Sequence, residues 1–380
     1  MITLTDVKNE FLKQFGYDPV LVKAPGRINL IGEHTDYNQG WVLPAAISQA
    51  IYFAIGSNGT STCRISALEP NQSVEFMVSK LKHAEYAWAD YIIGTVEELG
   101  LSEGFDMVFG GNIAIGAGLS SSAALTCGAA WGLNHLFVLG YENEELVLKA
   151  QSVENNFIGL NCGIMDQTAC LFGKENHLIL LDCQSLTKRL IPADFVNYTL
   201  LLCDSRVKHS LAQSQYNIRR KECEQAVVIL NTRYGNIISL RDVSLDQLFD
   251  SKNSLSATHF KRTKFVIEEN QRVHEAVRCI GERNFIKLGE LLWASQEGLK
   301  NEYQVSCDEL DFLVGESLDF EGILGARMMG GGFGGCTINL VRKDIVEEYS
   351  DHLFKGYFNR FGHQPEFYNV VLEGGVTLVL

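Results

Sequence analysis

Near the N-terminus, four side chains that can bind a polar small molecule lie within ten residues of one another: Arg27, Glu33, His34 and Asp36. Carboxylates accept hydrogen bonds from hydroxyl groups, an imidazole donates or accepts, and a guanidinium donates. The flanking stretches VLVKAPG and WVLPAAI are apolar, so the polar run begins and ends in core-forming sequence. A solvated loop is the alternative, but these flanks favour a stretch that is held near the core and binds several hydroxyl groups.

A second stretch of chemical interest is GAGLSSSAAL, residues 116–125. Its glycines allow positive φ and close approach of the backbone to a ligand. The apolar residues that follow predict a helix, whose first amides lack intrahelical partners and favour an anion. One serine hydroxyl could also face a magnesium ion. The stretch has neither the Lys of a P-loop nor the third glycine of a dinucleotide loop, where Ser121 stands. Taken alone, such a stretch is most often a capped helix after a tight turn, with a phosphate-binding loop as the alternative.

Two further stretches place glycines beside residues that can do chemistry. GGGFGG, residues 330–335, contains a literal G-x-G-x-x-G, but a β-type run follows it, which argues against a dinucleotide-dependent oxidoreductase. The cluster predicts close approach by a ligand or by another part of the chain, with a tight turn as the alternative. In CGIMDQT, Asp166 lies near Gly163 and follows a predicted helix that carries Glu154. Taken alone, such an Asp is most often a cap or turn residue.

Hydrophobic periodicity indicates the elements that must position these residues. It predicts strands at 20–24, 50–55, 62–67, 73–78, 105–115 and 198–205, and in the runs CTINLV, FYNVVL and VTLVL. It predicts helices at 5–16, at 88–99, from the serine-rich stretch to about 139, and at 143–158, 210–232, 258–282, 285–301 and 305–318. The pattern changes near residue 200 from mixed elements to long helices. We therefore expect two domains, 1–200 and 201–380, that pack closely because no linker-like segment separates them.

Composition argues against several classes of protein. The 380 residues carry a formal net charge of −14, whereas a nucleic-acid surface needs clustered Lys and Arg. The ten cysteines include no C-x-x-C, so a zinc ribbon or a thioredoxin-like site is not expected. The start MITLTDVKNEFLKQFG does not resemble a signal peptide, and no apolar run reaches transmembrane length. Together with the scattered thiols, these features predict a cytoplasmic protein without membrane or nucleic-acid partners.

Several of these segments resemble, in the same order, the segments of one family. APGRINLIGEHTDYN resembles the galactokinase signature, GAGLSSSAAL the second motif of the GHMP kinases, and RMMGGGFGGCTINLV their third motif. CGIMDQ and VKHSLAQSQYNIRR are also similar to galactokinase segments. On these motifs the chain is identified as a member of the galactokinase family. The resemblance implies an α+β fold with two GHMP kinase domains, the first ribosomal-protein-S5-like and the second a ferredoxin-like α/β sandwich, with the active site in the cleft between them.

The resemblance also implies a role for each matching residue. Asp166 would be the catalytic base for the C1 hydroxyl of the sugar, and Arg27 the neighbour that stabilises the transition state. The implied sugar-binding residues are Arg27, Glu33, His34, Asp36, Gly163, Asp166 and Tyr216. The implied ATP-binding residues are Gly116, Ala117, Gly118, Leu119, Ser120, Ser121 and Ser122, with Trp88 and Tyr91 near the nucleotide base. Ser122 and Glu154 would bind the magnesium ion.

The reaction implied by the resemblance is the Mg²⁺-dependent transfer of a phosphoryl group from ATP to α-D-galactose, giving α-D-galactose 1-phosphate and ADP, the first committed step of galactose catabolism. Asp166 would take the C1 proton late in the transfer or only orient it. An N-acetylgalactosamine kinase and a non-catalytic sensor of galactose and ATP are the alternatives. The chain departs from the family at Met329, where Thr is usual, and with the glycines intact we expect this change to be tolerated. We also expect a monomer.

Overall fold

The structure, a computed structural model, describes residues 2–114, 116–208 and 212–379, without the side chains of residue 208 and residues 212–214. Its strands are β1 (Val20–Asn29), β2 (Trp41–Val42), β3 (Pro44–Ser57), β4 (Thr62–Ala67), β5 (Gln72–Met77), β6 (Phe105–Gly111), β7 (His177–Asp182), β8 (Lys188–Pro192), β9 (Tyr198–Lys208), β10 (Ile323–Met328), β11 (Gly334–Arg342), β12 (Glu366–Asn369) and β13 (Thr377–Leu378). Its helices are α1 (Leu4–Phe15), α2 (Ala87–Leu99), α3 (Ser121–Leu136), α4 (Asn143–Ser152), α5 (Met165–Phe172), α6 (Ala212–Tyr234), α7 (Leu245–Asp250), α8 (Ala257–Gly281), α9 (Phe285–Gly298), α10 (Asp308–Leu318) and α11 (Val346–Phe361). Two π-helical segments, Val153–Ile158 and Leu299–Tyr303, extend α4 and α9.

The first half of the chain is built on a sheet whose described strands run in the order β13-β1-β3-β6-β4-β5. Alternation along β3 separates two cores, because successive side chains point to opposite faces. Phe53 belongs to the main core beneath α3, and Ala54 belongs to the cluster beneath α1. Gly128 of α3 lets the helix approach the sheet, since a Cβ there would lie 2.3 Å from the ring of Phe53. This packing holds the start of α3 beside β1.

The second half contains an antiparallel sheet in the order β10-β11-β9-β12 among the described strands. α10 and α11 cover one face of this sheet, and α6 and α8 enclose a separate buried cluster around Phe265 and Tyr303. The C-terminal strand β13 leaves this half and pairs with β1, with Leu378 opposite Val22. The two halves are therefore joined by strand pairing as well as by side-chain contacts.

Most predicted elements are confirmed. β4 coincides with the predicted strand at 62–67, and α8 and α9 begin at Ala257 and Phe285, close to their predicted starts. The predicted helix at 143–158 is α4 followed by a π-helical segment. α5, α7 and α11 have no counterpart among the predicted helices, and β2, β7, β8 and β10 have none among the predicted strands. The first residues of the predicted helix at 210–232, and the last residue of the predicted strand at 105–115, lie outside the described residues. The division into domains 1–200 and 201–380 stays a prediction.

The state of the cysteines and the composition of the helices are relevant to the predicted cytoplasmic location. Eight of the ten cysteines are buried, and all ten are free. In the part of the chain that the structure describes, no helix combines the length and the apolar composition needed to cross a bilayer. The cytoplasmic location and the monomeric state stay predictions.

Backbone contacts bring the polar N-terminal stretch to the serine-rich stretch. The pairing of β1 with β3 is irregular between Pro25 and Arg27, a feature that often redirects a side chain. Gly26 lies at this irregularity, and a Cβ on it would be 2.8 Å from the carbonyl oxygen of Leu119. The amide of Arg27 donates to that same carbonyl at 3.1 Å. The two stretches therefore contact each other directly, and a glycine makes the contact possible.

The glycine cluster at 330–335 contacts the same loop. A Cβ on Gly118 would lie 3.2 Å from the carbonyl oxygen of Met329, and one on Gly335 would lie 3.3 Å from the carbonyl carbon of Ala117. Gly118 and Gly335 both have positive φ, 76° and 79°. The prediction that this cluster permits close approach by another part of the chain is confirmed.

Candidate active site

A cavity of about 780 Å³ lies where the four stretches meet. Many of the predicted site residues line it: Arg27, Glu33, His34, Asp36, Tyr91, Ser122, Glu154, Gly163, Asp166 and Tyr216. Other parts of its wall were not predicted as site residues: His83, Ala87, Asp90, Phe157, Ile158, Leu160, Cys162, Met165, Gly330, Gly331 and Gly332. Both halves of the chain therefore contribute to one cavity.

Arg27 and Asp166 form a bidentate ion pair in the cavity wall. Nε of Arg27 lies 2.7 Å from Oδ1 of Asp166, and Nη2 lies 3.0 Å from Oδ2. Nη1 of the same guanidinium donates to the carbonyl of Gly118. Burial lowers the pKa of Arg27, but the charge and hydrogen bonds of Asp166 outweigh it, and the pKa is raised overall. A cation thus stays beside the carboxylate and connects it to the serine-rich loop.

Ser120 is a second link between the loop and Asp166. It has left-handed backbone angles, φ 57° and ψ 50°, and its side chain does not cap α3. Its hydroxyl donates instead to Oδ2 of Asp166. Left-handed angles are uncommon for residues other than glycine and often mark functional sites. This contact was not predicted, because no local pattern relates Ser120 to Asp166.

Glu33 is held at one of its two carboxylate oxygens. Oε1 accepts from Nη2 of Arg327 at 3.1 Å and from the amide of Gly330 at 2.9 Å. Arg327 is fully buried and also donates to the carbonyls of Asn29 and Leu30. Within the described residues Oε2 has no hydrogen-bond donor, so it remains available to a ligand. Arg327 was not predicted, and its only signal was its place next to Met328 at the start of the third motif.

His34 has a protein partner at each ring nitrogen. Nδ1 lies 2.8 Å from the hydroxyl of Tyr37, and Nε2 lies 3.2 Å from the carbonyl oxygen of Gly331. Burial lowers the pKa of His34 to about 3, so the imidazole is neutral near pH 7. The hydroxyl of Tyr37 continues to that of Tyr303 at 2.8 Å. Neither tyrosine was predicted as part of the site.

Asp36 and Gly163 are in close contact. A Cβ on Gly163 would lie 1.9 Å from Oδ2 of Asp36, so any larger residue would displace the carboxylate. Burial, and after it the charge of Asp166, raise the pKa of Asp36 to about 7. The ring of Tyr216, from α6, lies 5.5 Å from that of His34 and shares this part of the cavity. The predicted sugar-binding residues are thus brought together.

The serine-rich loop enters the cavity through its last predicted residue. Ser122 lines the cavity, whereas the other members of the loop do not: Gly116, Ala117, Gly118, Leu119, Ser120 and Ser121. The loop nevertheless contacts the wall through Gly118 and Ser120, which bind Arg27 and Asp166. The first amides of α3 have no intrahelical acceptors, and such a helix end favours an anion.

Comparison with known proteins gives the family. The family model "Galactokinase galactose-binding signature" matches residues 9–57, and the models of the GHMP kinase N-terminal and C-terminal domains match residues 86–174 and 275–357. A galactokinase from Roseiflexus sp. (strain RS-1) is 38% identical over 100% of this chain and 98% of its own length. The chain belongs to the galactokinase family. A galactokinase from Thermotoga maritima is 41% identical over 94% of this chain and 99% of its own length.

Solved structures confirm the predicted fold class. The crystal structure of Lactococcus lactis galactokinase complexed with galactose matches with a TM-score of 0.94, 33% identity and 98% coverage of both chains. The mevalonate kinase of Methanococcus jannaschii, 19% identical, shares the fold with a TM-score of 0.65 over 94% of this chain and 99% of its own. The chain therefore has the α+β fold of two GHMP kinase domains. As a member of the galactokinase family it is an enzyme, a kinase that transfers a phosphoryl group.

Glu154 fits the metal site that the galactokinase family implies. It is 3% exposed, lies on the π-helical segment after α4, and lines the cavity. Its hydrogen-bond partners, Gln167, Cys162 and Ser122, are all neutral, with Nε2 of Gln167 at 3.1 Å. Burial, and after it the charge of Asp166, raise the pKa of Glu154 to about 7. An enclosed carboxylate beside a hydroxyl is a suitable set of oxygen ligands for Mg²⁺.

The two aromatic residues predicted near the nucleotide base differ in position. Tyr91 lines the cavity. Trp88 does not, because its indole donates to Gln72 at 2.8 Å and its ring packs on Tyr86 and Phe109. Trp88 therefore stabilises the edge of the first sheet, and the role of either residue in binding the base stays a prediction.

Met329 occupies the one position that departs from the galactokinase motif. It is 1% exposed and belongs to the main hydrophobic core. Its amide donates to the carbonyl of Cys336 at 2.9 Å, which closes the turn around the glycines. The side chain does not line the cavity. The apolar thioether is thus compatible with its surroundings.

Proposed function

We propose that this chain transfers the γ-phosphoryl group of ATP to the C1 hydroxyl of α-D-galactose, giving α-D-galactose 1-phosphate and ADP. The proposal depends on one observation. Arg27 and Asp166 bind each other, and the serine-rich loop binds both, Arg27 through Gly118 and Asp166 through Ser120. A hydroxyl-binding group and a phosphate-binding loop must adjoin in any sugar kinase. Galactose as the sugar is supported by the related galactokinases and by the galactose in the Lactococcus lactis structure.

Asp166 acts on the C1 hydroxyl in this proposal. Phosphoryl transfer depends on positioning and charge stabilisation more than on covalent chemistry. Both oxygens of Asp166 already accept hydrogen bonds, from Arg27 and Ser120. The carboxylate is therefore better placed to orient the hydroxyl and take its proton late than to remove it early. Arg27 supplies positive charge beside the reacting oxygen, where negative charge develops.

The sugar is held by acceptors on the other side of the cavity. Oε2 of Glu33 and the carboxyl of Asp36 accept from its hydroxyls, with contacts from His34, Tyr216 and the backbone of Gly163. Such orientation lowers the activation free energy by several kcal/mol, on the order of what is measured for intramolecular reactions. A hydroxyl of the wrong configuration leaves one of these buried groups unpaired, and this cost disfavours glucose.

The nucleotide phosphates bind at the loop 116–122 and the first amides of α3. Ser122 and Glu154 would hold Mg²⁺, which would offset the negative charge of the phosphates. Tyr91, which lines the cavity, and Trp88 are the proposed neighbours of the base.

An assay of ADP release with Mg-ATP over a panel of hexoses tests this function. We expect turnover with galactose, little with glucose or without sugar, and a product whose phosphorus is coupled to the anomeric proton in NMR spectra. A preference for N-acetylgalactosamine would mean that the chain is an N-acetylgalactosamine kinase. Binding of galactose and ATP without ADP formation would mean that it is a non-catalytic sensor.

A further inference from the structure

A chain of four hydrogen-bonding side chains runs from the cavity into the core between the two halves. It begins at His34 and passes through Tyr37 and Tyr303 to Cys223. The distances are 2.8 Å from Nδ1 to the first phenol, 2.8 Å between the phenols, and 3.1 Å from the second phenol to Sγ. Tyr303 and Cys223 are almost completely buried. Apart from His34, these residues have no part in the proposed reaction.

The contact that Nε2 of His34 makes, on the side of the ring away from Tyr37, decides which group is the donor in every hydrogen bond of this chain. Nε2 lies 3.2 Å from the carbonyl of Gly331, and a carbonyl only accepts, so Nε2 carries the proton. In a neutral imidazole Nδ1 must then accept, and Tyr37 donates to it. The oxygen of Tyr37 in turn accepts from Tyr303, and that of Tyr303 from the thiol of Cys223. One acceptor at the cavity thus orients four groups.

The protonated form of His34, the imidazolium, does not compete with the neutral forms near pH 7. Burial is the main reason that the pKa of His34 is lowered, and the charges of Arg219, Arg262 and Arg327 act in the same direction. Only the two neutral tautomers remain. In the tautomer with the proton on Nδ1, the lone pair of Nε2 would face the carbonyl oxygen of Gly331, and two acceptors would repel each other.

We propose that the carbonyl of Gly331 fixes the tautomer of His34 with its proton on Nε2, and that Tyr37 and Tyr303 are positioning residues that hold this imidazole through Nδ1, so that His34 meets the sugar only as a hydrogen-bond donor. The proposal rests on the proposed function, which makes His34 a sugar ligand. The sugar hydroxyl that reaches Nε2 shares this proton with the carbonyl of Gly331 and uses its oxygen as the acceptor. Its own proton stays free for a carboxylate, and Glu33 and Asp36 can only accept when ionised. The site therefore distinguishes a hydroxyl from groups that only accept or only donate.

The two tyrosines come from different halves of the chain. Tyr37 follows the N-terminal polar stretch, and Tyr303 ends the π-helical segment after α9. The ring of Tyr303 lies 4.8 Å from that of His34 and packs on Phe265 at 4.7 Å. The tautomer of His34 is therefore set only when the halves are assembled around the cavity.

NMR of protein labelled with ¹⁵N at histidine tests the tautomer directly, without sugar or nucleotide. The chain has nine histidines, and the signals of His34 are those that His34→Gln removes. We expect the proton on Nε2 in the wild type and in both Tyr37→Phe and Tyr303→Phe, with a changed chemical shift of Nδ1 in the variants, because Tyr37→Phe removes the donor to Nδ1 and Tyr303→Phe removes the group that orients that donor. Tyr349→Phe is the matched control, because it deletes a buried phenol hydroxyl that binds Asn339 at 3.1 Å, away from the cavity. A proton on Nδ1 in the wild type would overturn the proposal.

Kinetics in two backgrounds separate positioning from a merely structural role. We expect Tyr303→Phe to raise the KM for galactose about tenfold, the cost of one misdirected hydrogen bond, with the KM for ATP unchanged. In a His34→Gln background the same substitution should have no further effect, because it acts through His34. An equal effect in both backgrounds would overturn the proposal. Failure of the wild type to phosphorylate galactose would contradict the proposed function and would leave the NMR result to decide the tautomer.

Discussion

Arg27 and Asp166 are 139 positions apart in the chain, yet two hydrogen bonds of 2.7 and 3.0 Å join their side chains in the cavity wall. The pair connects β1 to the first turn of α5. Ser120 binds the same carboxylate, and Gly118 binds the same guanidinium. The sugar-binding and phosphate-binding stretches therefore meet at one ion pair, and substitutions there should affect chemistry more than binding.

The first prediction concerns the carboxylate. Asp166→Asn keeps the shape of the side chain but cannot take a proton. We expect galactose binding to stay within a few-fold of wild type and turnover to fall about 100-fold or more, the range of general-base effects. Calorimetry gives the binding constant, and ADP release gives kcat. Wild-type turnover in this variant would remove Asp166 from the mechanism.

The second prediction concerns the guanidinium. Arg27→Ala leaves the carboxylate of Asp166 and the carbonyl of Gly118 without their donor. We expect kcat to fall with little change in the KM for galactose, and the free energy of unfolding to fall by about 3 kcal/mol, as when one partner of a buried pair is lost. Urea unfolding measures the second effect. Arg27→Lys is the control that keeps the charge without the bidentate geometry. A change confined to KM would show that Arg27 only binds the sugar.

Periodicity predicted the elements whose apolar residues recur at a regular spacing. In β4 these are Cys63, Ile65 and Ala67, at every second position, and in α8 buried residues recur every three or four positions. α11 was missed, although its buried residues Tyr349, Leu353 and Tyr357 are four apart, because charged residues separate them. β7 and β8 were also missed, and β8 buries only Ile191. In β8, therefore, tertiary contacts rather than amphipathicity decide the conformation, and the local pattern gives no signal.

The site was predictable where its chemistry lies inside a motif. Glu33, His34 and Asp36 stand together in the sequence and line one cavity. Arg327 and Tyr303 could not be found in the same way, because they reach Glu33 and Tyr37 across 294 and 266 positions. Contacts of that kind depend on how the two halves pack, and no spacing within a segment encodes them.

The third prediction uses the contact between Gly163 and Asp36. Gly163→Ala places a methyl group where Oδ2 of Asp36 now lies, since the two would be 1.9 Å apart. Because the carboxylate must move, we expect the KM for galactose to rise about tenfold or more, as for a displaced hydrogen-bond partner. Gly315→Ala in α10 is the matched control, because a Cβ there meets nothing within 4 Å. An unchanged KM in Gly163→Ala would mean that Asp36 does not bind the sugar.

The fourth prediction is a pH dependence of stability. Burial, and after it the charge of Asp166, raise the pKa of Asp36 to about 7 in the folded chain. In the unfolded chain an Asp has a pKa of about 4. Between these values the folded chain binds more protons than the unfolded chain, so the free energy of unfolding falls as the pH rises through this window. We expect Asp36→Asn to relieve a cost of roughly 1–3 kcal/mol above about pH 7 and to relieve none near pH 4.

Urea unfolding without ligands, near pH 5 and near pH 8, measures this difference over most of the window. The exposed Asp18→Asn is the control for removing a negative charge and should follow the wild type. If Asp36→Asn and the wild type lose stability in parallel between the two pH values, the carboxyl of Asp36 is ionised throughout and the prediction is wrong.

The last prediction concerns Met329, which stands where the family usually has Thr. Because the side chain is buried in the hydrophobic core and does not line the cavity, its exchange should change stability rather than chemistry. Met329→Thr removes buried apolar volume and adds a hydroxyl, so we expect the free energy of unfolding to fall by about 2 kcal/mol and kcat to stay within about twofold. Met329→Leu, which conserves volume, should cost less. Thermal unfolding and ADP release measure the two quantities, and a large gain in kcat on restoring the hydroxyl would show that position 329 acts on the phosphates after all.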